Sequence, residues 1–356
     1  MDSLTRDDLR AAVAAGVLTE AQAAQLLIVG EARQGRRAAM TGDDEPFELF
    51  RGFAEIFVSI GIVLLISGIM MFGTVMGGIA MALLAAALCW VFALYFTRRR
   101  RMVLPSVVLT TGFAIGFAAV LGDALGLSAD TALQQRGSLA LFCLAGIAGM
   151  ALWYRVFRVP FAMFPLGLLA AVLVFLLVDI VRPFNDLRGW EHLFDLRSGS
   201  GLAIATLLFG LIALAGGLAF DMRDPHRLGR MSASGFWLHI LAAPALVNTV
   251  ALSAYNTGGT AGYVLLALAL AAAAGFALVI DRRSFLTAGI AWLGVLIGWA
   301  IRADESPGNF AALLVILGGF LTFMGSFWAA MRARIMRALP DFPGKRRLPP
   351  YAPAAE

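Results

Sequence analysis

The sequence predicts an all-α fold: a polytopic bundle of about ten transmembrane helices after a small N-terminal cytoplasmic helix pair. Hydrophobic residues make up 60% of the 356 residues and charged residues 14%, whereas soluble domains carry roughly 25% charge. The apolar residues are also gathered into ten runs, each near the length of about 20 residues that crosses the hydrocarbon core of a membrane as a helix. We therefore expect the lipid bilayer to surround most of the chain.

The first two runs form a hairpin that fixes the topology of everything after it. They cover residues 53–72 and 76–96, and four arginines at 98–101 close the pair. Clustered basic residues stay on the cytoplasmic side of a membrane, so this end of the hairpin is predicted to lie inside. The later runs cover residues 102–121, 138–154, 159–181, 201–220, 232–254, 261–280, 285–301 and 309–331.

The distribution of basic residues supports ten spans with both termini in the cytoplasm. When the N-terminus is placed inside, 23 of the 28 basic residues fall on inside segments and 5 on outside segments. A missed or extra span would invert every later loop and remove this bias. Although the net charge is +5, the basic residues flank the apolar runs and form no single patch, so nucleic acid is not an expected partner.

This topology divides the chain into a cytoplasmic helix pair and linker at residues 1–50, a ten-span domain at 51–332, and a basic, Pro-rich cytoplasmic tail at 333–356. Thr19 and Gln22 have the spacing of a capping box at the start of the second short helix. Such a short pair buries little core alone. Residues 1–33 are therefore expected to pack on the membrane domain, on a second copy in a homo-oligomer, or on a protein partner. The tail is expected to be disordered beyond a short helical extension.

The segment 15–23, with its Gly16, Thr19 and Gln22 step, resembles the start of an uncharacterised family of bacterial predicted membrane proteins with a domain of unknown function. Members of that family begin with a short cytoplasmic helix pair and continue into many transmembrane helices. The resemblance implies the bacterial inner membrane as the location and brings no catalytic residue with it. Ten spans with both ends inside are also similar in architecture to the drug/metabolite transporter superfamily, although no matched residues connect the two five-helix halves of this chain.

Four residues inside the spans are candidate ligand-binding residues: Glu55, His239, Pro244 and Asn248. Ionisable groups inside a membrane are costly and often functional. Pro244 cannot donate to the carbonyl of Ile240, and Asn248 follows one turn later. The seventh span is thus predicted to line a hydrated site with His239 at its entrance. Simpler alternatives stay open: Glu55 reaching the headgroups, His239 as a satisfied interfacial side chain, and Asn248 as an interhelical hydrogen-bond residue at an ordinary kink.

The loop after the sixth span holds Asp221, Asp224 and His226 among arginines, and we interpret it as solvated and not as a metal site. The sequence has no phosphate-binding loop, metalloprotease motif or nucleophile elbow, so neither enzymatic activity nor a cofactor or metal is expected. A small-molecule transporter or permease is the preferred functional hypothesis. The alternative is a membrane scaffold or sensor that binds a partner through the helix pair. A lipid-modifying enzyme is disfavoured because the chain has only three histidines. The substrate is not specified.

Overall fold

The computed structural model describes residues 11–13, 15–18, 22, 26, 53–76, 78–128, 135–181, 194–225, 227, 229–302, 306–349 and 351. Ten of its helices are long and apolar enough to cross a membrane, which confirms the predicted spans. The predicted helix pair and linker at residues 1–50 lie almost entirely outside the described residues. The helices are α1 (Phe53–Met76), α2 (Ile79–Ala93, continued as a π-helix over Leu94–Arg99), α3 (Val103–Ala124), α4 (Arg136–Phe157), α5 (Met163–Val181), α6 (Gly201–Asp221), α7 (Arg230–Tyr255), α8 (Gly259–Ile280), α9 (Ser284–Ile301) and α10 (Pro307–Ala338).

The first helices pack around an aromatic core. The Trp153 ring is fully buried and stacks on the Phe113 ring with centroids 4.5 Å apart. Its indole Nε1 donates to Thr110 Oγ1 at 3.0 Å, so the polar atom of this buried ring is satisfied. A Cβ on Gly116 would lie 3.2 Å from the amide nitrogen of Ala86. The glycine therefore allows the backbones of α2 and α3 to approach closely.

The later helices pack around α7, which contacts α5, α6, α8 and α9. The contact between α6 and α7 is the most extensive in the structure. A Cβ on Gly210 would lie 2.7 Å from Leu246 Cγ, so the absence of a side chain at this position lets the two helices approach. Ala242, Ala243 and Phe209 form part of the buried apolar core at this contact. The candidate site is built on the α6–α7 pair.

The tenth helix and the segment after it are more ordered than expected. α10 begins at Pro307, and the side chain of the preceding Ser306 accepts a capping hydrogen bond from the Asn309 amide. The helix has 32 residues, about 48 Å at 1.5 Å per residue, and so exceeds the thickness of the hydrocarbon core. The prediction of a disordered tail is wrong for residues 339–349, because charged side chains hydrogen-bond its carbonyls. Arg332 donates to Pro349 O at 2.6 Å, and buried Lys345 donates to Leu339 O at 2.7 Å.

Apolar side chains cover much of the outer surface of the bundle. The exposed fraction is 73% for Phe57 on α1 and 74% for Val315 on α10. Large exposed apolar surfaces are unfavourable in water and natural in lipid. The exposed faces of these helices therefore fit a multi-pass membrane protein.

Candidate functional site

A buried network of charged and ionisable groups joins α6, α7 and the turn between α8 and α9. Asp221 is the last residue of α6. His239 lies on α7, and Arg282 lies in the turn between α8 and α9, two residues before Ser284. The side chains of Asp221, Arg282 and His239 are 2%, 8% and 0% exposed. We call these three residues the charge cluster.

Hydrogen bonds connect every member of the charge cluster. Arg282 Nε donates to Asp221 Oδ2 at 2.9 Å, and its Nη2 pairs with Asp221 Oδ1. The same Nη2 donates to the carbonyl of Ser232 at 2.7 Å. Oδ2 of Asp221 also lies 2.9 Å from Nε2 of His239. One carboxylate thus holds a guanidinium and an imidazole in place, and a two-point contact with arginine is the strongest geometry for such a pair.

Two glycines make room for the charge cluster. Gly217 precedes Asp221 by one turn of α6, and Gly235 precedes His239 by one turn of α7. A Cβ on Gly217 would lie 2.8 Å from the His239 ring, and a Cβ on Gly235 would lie 2.6 Å from Asp221 Oδ1. Each helix therefore presents a glycine to the polar side chain of the other. The paired spacing explains how α6 and α7 bring a carboxylate and an imidazole together.

The surroundings of His239 define its tautomer. Its Nε2 faces the Asp221 carboxylate, which only accepts hydrogen bonds, so Nε2 carries the proton. Its Nδ1 is buried and has no hydrogen-bond partner among the described residues. A second proton on Nδ1 would be left without an acceptor there. The packed cluster therefore fits the neutral imidazole.

A second group of polar side chains surrounds Asp281, the residue next to Arg282. Asp281 adopts a left-handed backbone at φ 57°, and its Oδ2 pairs with Arg227 Nη1 at 3.0 Å. Its Oδ1 accepts from Trp328 Nε1 on α10 at 2.7 Å. Arg227 Nη2 also donates to the Asp281 carbonyl at 2.7 Å. Burial lowers the pKa of the Arg227 guanidinium, and the nearby positive charge of Arg282 lowers it further, while Asp281 opposes both. The α8–α9 turn is thereby tied to the α6–α7 loop and to α10.

Glu55 lies in a different part of the fold from the charge cluster. Its side chain is buried, with 5% of the residue exposed. Oε2 accepts from the backbone amides of Val103 and Leu104, each at 3.2 Å. These amides belong to the first turn of α3, where a carboxylate is favoured by unpaired N–H groups and by the helix dipole. The described contacts of Glu55 therefore connect α1 to α3.

Pro244 and Asn248 lie on a different face of α7 from His239. α7 remains helical from Arg230 to Tyr255 across the proline. The side chains of Pro244 and Asn248 are exposed, whereas His239 is buried. Oδ1 of Asn248 accepts from the Trp292 indole of α9 at 3.1 Å. The four predicted residues therefore lie in three separate places in the fold. Only His239 belongs to the charge cluster.

Two apolar cavities lie along α8, one of them between α8 and α7. A cavity of about 290 Å³ is lined by α6, α7 and α8 and includes Val247 and Phe285. A second, of about 450 Å³, is lined by α8, α9 and α10 and also includes Phe285. Phe285 lies close to the charge cluster, because its ring centroid is 6.1 Å from that of His239. The space described next to the cluster is thus suited to apolar groups.

The sequence reasoning missed Asp221 and Arg282. The interpretation of the 221–226 loop as solvated is wrong for Asp221, because α6 continues through this residue and buries it against α7. Half-buried Asp224 accepts from the amides of Gly229 and Ser232, and His226 lies outside the described residues. Within the described part of the chain, no group of three His, Cys, Asp or Glu residues is placed to hold a metal ion. The matched glycine spacing on α6 and α7 was the available signal.

Comparisons with known proteins identify no relative of this chain. No protein-family model matches the chain, and neither a curated protein nor a solved structure matches it. The resemblance at residues 15–23 therefore stays an expectation.

Proposed function

We propose that this chain is a small-molecule permease in which the charge cluster closes one end of a path along α7. The observation that carries the proposal is the burial of Asp221, His239 and Arg282 at the contact of three elements. Ionisable groups inside membrane domains are costly and generally mark ion or substrate paths. An ion pair is also a contact that two helices break and remake as a unit, which is the requirement for a gate.

Stability alone is a poor reason to keep such a cluster. Replacing a buried ion pair by packed apolar residues is often neutral or stabilising. Here the polar groups fit only because Gly217 and Gly235 have no side chain. The presence of the cluster at the most extensive helix contact supports a role in a conformational change.

The adjoining cavities support a substrate with an apolar body. The cavity of about 290 Å³ has Val247 in its wall, about two turns along α7 from His239. In this proposal the cavity is part of the path, and Pro244 is the point where α7 bends when the path opens. The contact between Asn248 and Trp292 then holds the far half of α7 against α9. Glu55 has no part in the path.

The positive-inside pattern supports a gate at the cytoplasmic face. The charge cluster lies beside the loops that carry Arg223, Arg227 and Arg283, which the sequence assigns to the inside. A cytoplasmic location for both termini and a bacterial inner membrane belong to the same proposal. The scaffold or sensor alternative, with residues 1–33 as the partner-binding part, is the outcome that the following experiment separates from transport.

Accessibility of a single cysteine tests the gate. In a background with Cys89→Ala and Cys143→Ala, Val247→Cys places a thiol in the wall of the cavity of about 290 Å³. A membrane-impermeant thiol reagent should label it slowly in the parent, because Val247 is 6% exposed. Adding Asp221→Asn and Arg282→Gln together removes both charges and leaves no uncompensated charge buried. The double change should accelerate labelling at least tenfold. This corresponds to a loss of about 1.4 kcal/mol in the free energy that keeps the gate closed.

Two matched variants control for indirect effects. Asp224→Asn makes the same chemical change in the loop outside the cluster and should leave the labelling rate of the Val247→Cys thiol unchanged. Leu268→Cys places a thiol at an exposed apolar position, 62% exposed on α8, that lipid should shield from the reagent. If the Val247→Cys thiol stays fully protected in both the parent and the charge-neutral protein, and both are folded, the permease proposal fails and the scaffold alternative is favoured.

A further inference from the structure

A basic pocket lies between the α8–α9 turn, the end of α10 and the tail. Its volume is about 620 Å³. The charged and aromatic residues that line it are Asp281, Arg283, Trp328, Arg332, Arg334, Arg337 and Tyr351. None of the three residues of the charge cluster lines this pocket, so it is a separate feature of the same membrane face.

Positive charge is in excess in the basic pocket. Four arginines share the pocket with one carboxylate, that of Asp281. This carboxylate is already engaged by Arg227, by Arg332 of the pocket and by the Trp328 indole. The side chains of Arg334 and Arg337 are exposed, and the guanidinium of Arg283 lies 5.4 Å from the centre of the Trp328 ring. Planar guanidinium groups arranged around a cavity are suited to phosphate, because each offers paired N–H donors to the phosphate oxygens.

An apolar crevice runs beside the basic pocket on the same helix. This crevice is the cavity of about 450 Å³ between α8, α9 and α10. Met331 and Ile335 of α10 line the crevice, whereas Arg332 and Arg334 line the pocket. Across from α10, Arg283 lines the pocket, and Phe285, two residues later, lines the crevice. Charged and apolar surfaces thus meet along one edge, as an amphipathic ligand requires.

The position of the pocket along α10 matches the depth of lipid headgroups. The apolar run of this helix ends at residue 331, and the three arginines follow within the next two turns. Basic pockets between transmembrane helices on the cytoplasmic side bind the headgroups of anionic lipids. We propose that this pocket binds the phosphate of an anionic phospholipid and that the adjoining crevice holds one of its acyl chains.

Lipid titration of the delipidated full-length protein tests the proposal. In neutral detergent, binding of phosphatidylglycerol and of phosphatidylcholine with the same acyl chains is measured by native mass spectrometry. The parent protein should bind phosphatidylglycerol more tightly. The double variant Arg334→Ala/Arg337→Ala should weaken that binding about 30-fold, because each arginine near an anionic headgroup contributes about fivefold. Arg334→Gln/Arg337→Gln is the substitute if the alanine pair does not fold.

A control pair separates the pocket from general basic attraction. Arg98→Ala/Arg99→Ala removes two exposed arginines from the end of α2 and should leave phosphatidylglycerol binding unchanged. Equal affinity for the two lipids, or the same loss in both double variants, would overturn the proposal. Inorganic phosphate is titrated alone as the soluble probe. If it binds the parent as tightly as phosphatidylglycerol does, the pocket takes a free anion and the lipid assignment is wrong.

Discussion

The substitution Asp221→Asn removes the only negative charge in the charge cluster. Arg282 keeps its charge and stays 8% exposed, so a guanidinium would be buried without a counter-charge. Asparagine also points an amide N–H toward a group that only donates hydrogen bonds. Breaking a buried ion pair on one side destabilises proteins by about 3–5 kcal/mol. We expect a loss of this size in the free energy of unfolding.

The assay is reversible unfolding of the purified protein in mixed micelles, followed by tryptophan fluorescence. The double variant Asp221→Asn/Arg282→Gln should recover most of the loss, because removing both partners leaves no uncompensated charge. Asp224→Asn is the matched control. Its side chain is half-buried, and its carboxylate accepts from two backbone amides, so its loss should stay at about 1 kcal/mol.

Two results would refute this reasoning. One is a loss for Asp221→Asn no larger than that for Asp224→Asn, which would mean that Asp221 does not hold a buried charge. The other is a double variant as unstable as the single variant. The unpaired charge of Arg282 would then not be the source of the loss, although the two side chains are in direct contact.

The remaining predictions concern packing, a helix terminus and topology. Gly235→Ala should lower the free energy of unfolding by about 1–3 kcal/mol, because its Cβ would meet Asp221 Oδ1 and the carbonyl oxygen of Gly217. Gly61→Ala, whose Cβ would lie in open space, should be neutral. Equal losses in the two variants would contradict the close approach of α6 and α7. Glu55→Gln should lose about 1 kcal/mol in the same assay by weakening the charge at the start of α3, and no change would show that the contact is immaterial. Reporter fusions should report opposite sides, outside for Ala129, Asn185 and Pro307 and inside for Arg100, Asp224 and the C-terminus. One reversed internal site would contradict the topology.

The sequence was sufficient to predict the ten helices. A membrane span depends on local length and hydropathy, and each run was close to the helix seen. The end of α10 was less predictable, because order at residues 339–349 depends on hydrogen bonds such as that between Arg332 and Pro349, which join positions far apart in the chain. Loop composition alone suggested solvated, flexible segments there.

The site was harder to predict than the fold. His239 was a candidate, but its partner Asp221 stood among charged loop residues, and Arg282 is 61 positions away from Asp221. Hydropathy does not encode contacts at such separations. Gly217 and Gly235 carried a usable signal, because each precedes a polar residue by four positions on its own helix and the two helices face each other. Pro244 drew attention for a local reason, the missing amide donor, whereas its exposure on α7 depends on the tertiary packing.

The distance between α6 and α9 at the charge cluster tests the central claim most directly. Met222→Cys and Thr287→Cys, both exposed positions near the cluster, accept spin labels in a background without Cys89 and Cys143. Pulsed electron resonance in lipid vesicles then gives the distribution of label distances. A gate predicts two populations, with the longer one enriched when Asp221→Asn and Arg282→Gln are added. A single narrow distance, identical in the parent and the charge-neutral protein, would contradict the claim that the charge cluster opens and closes.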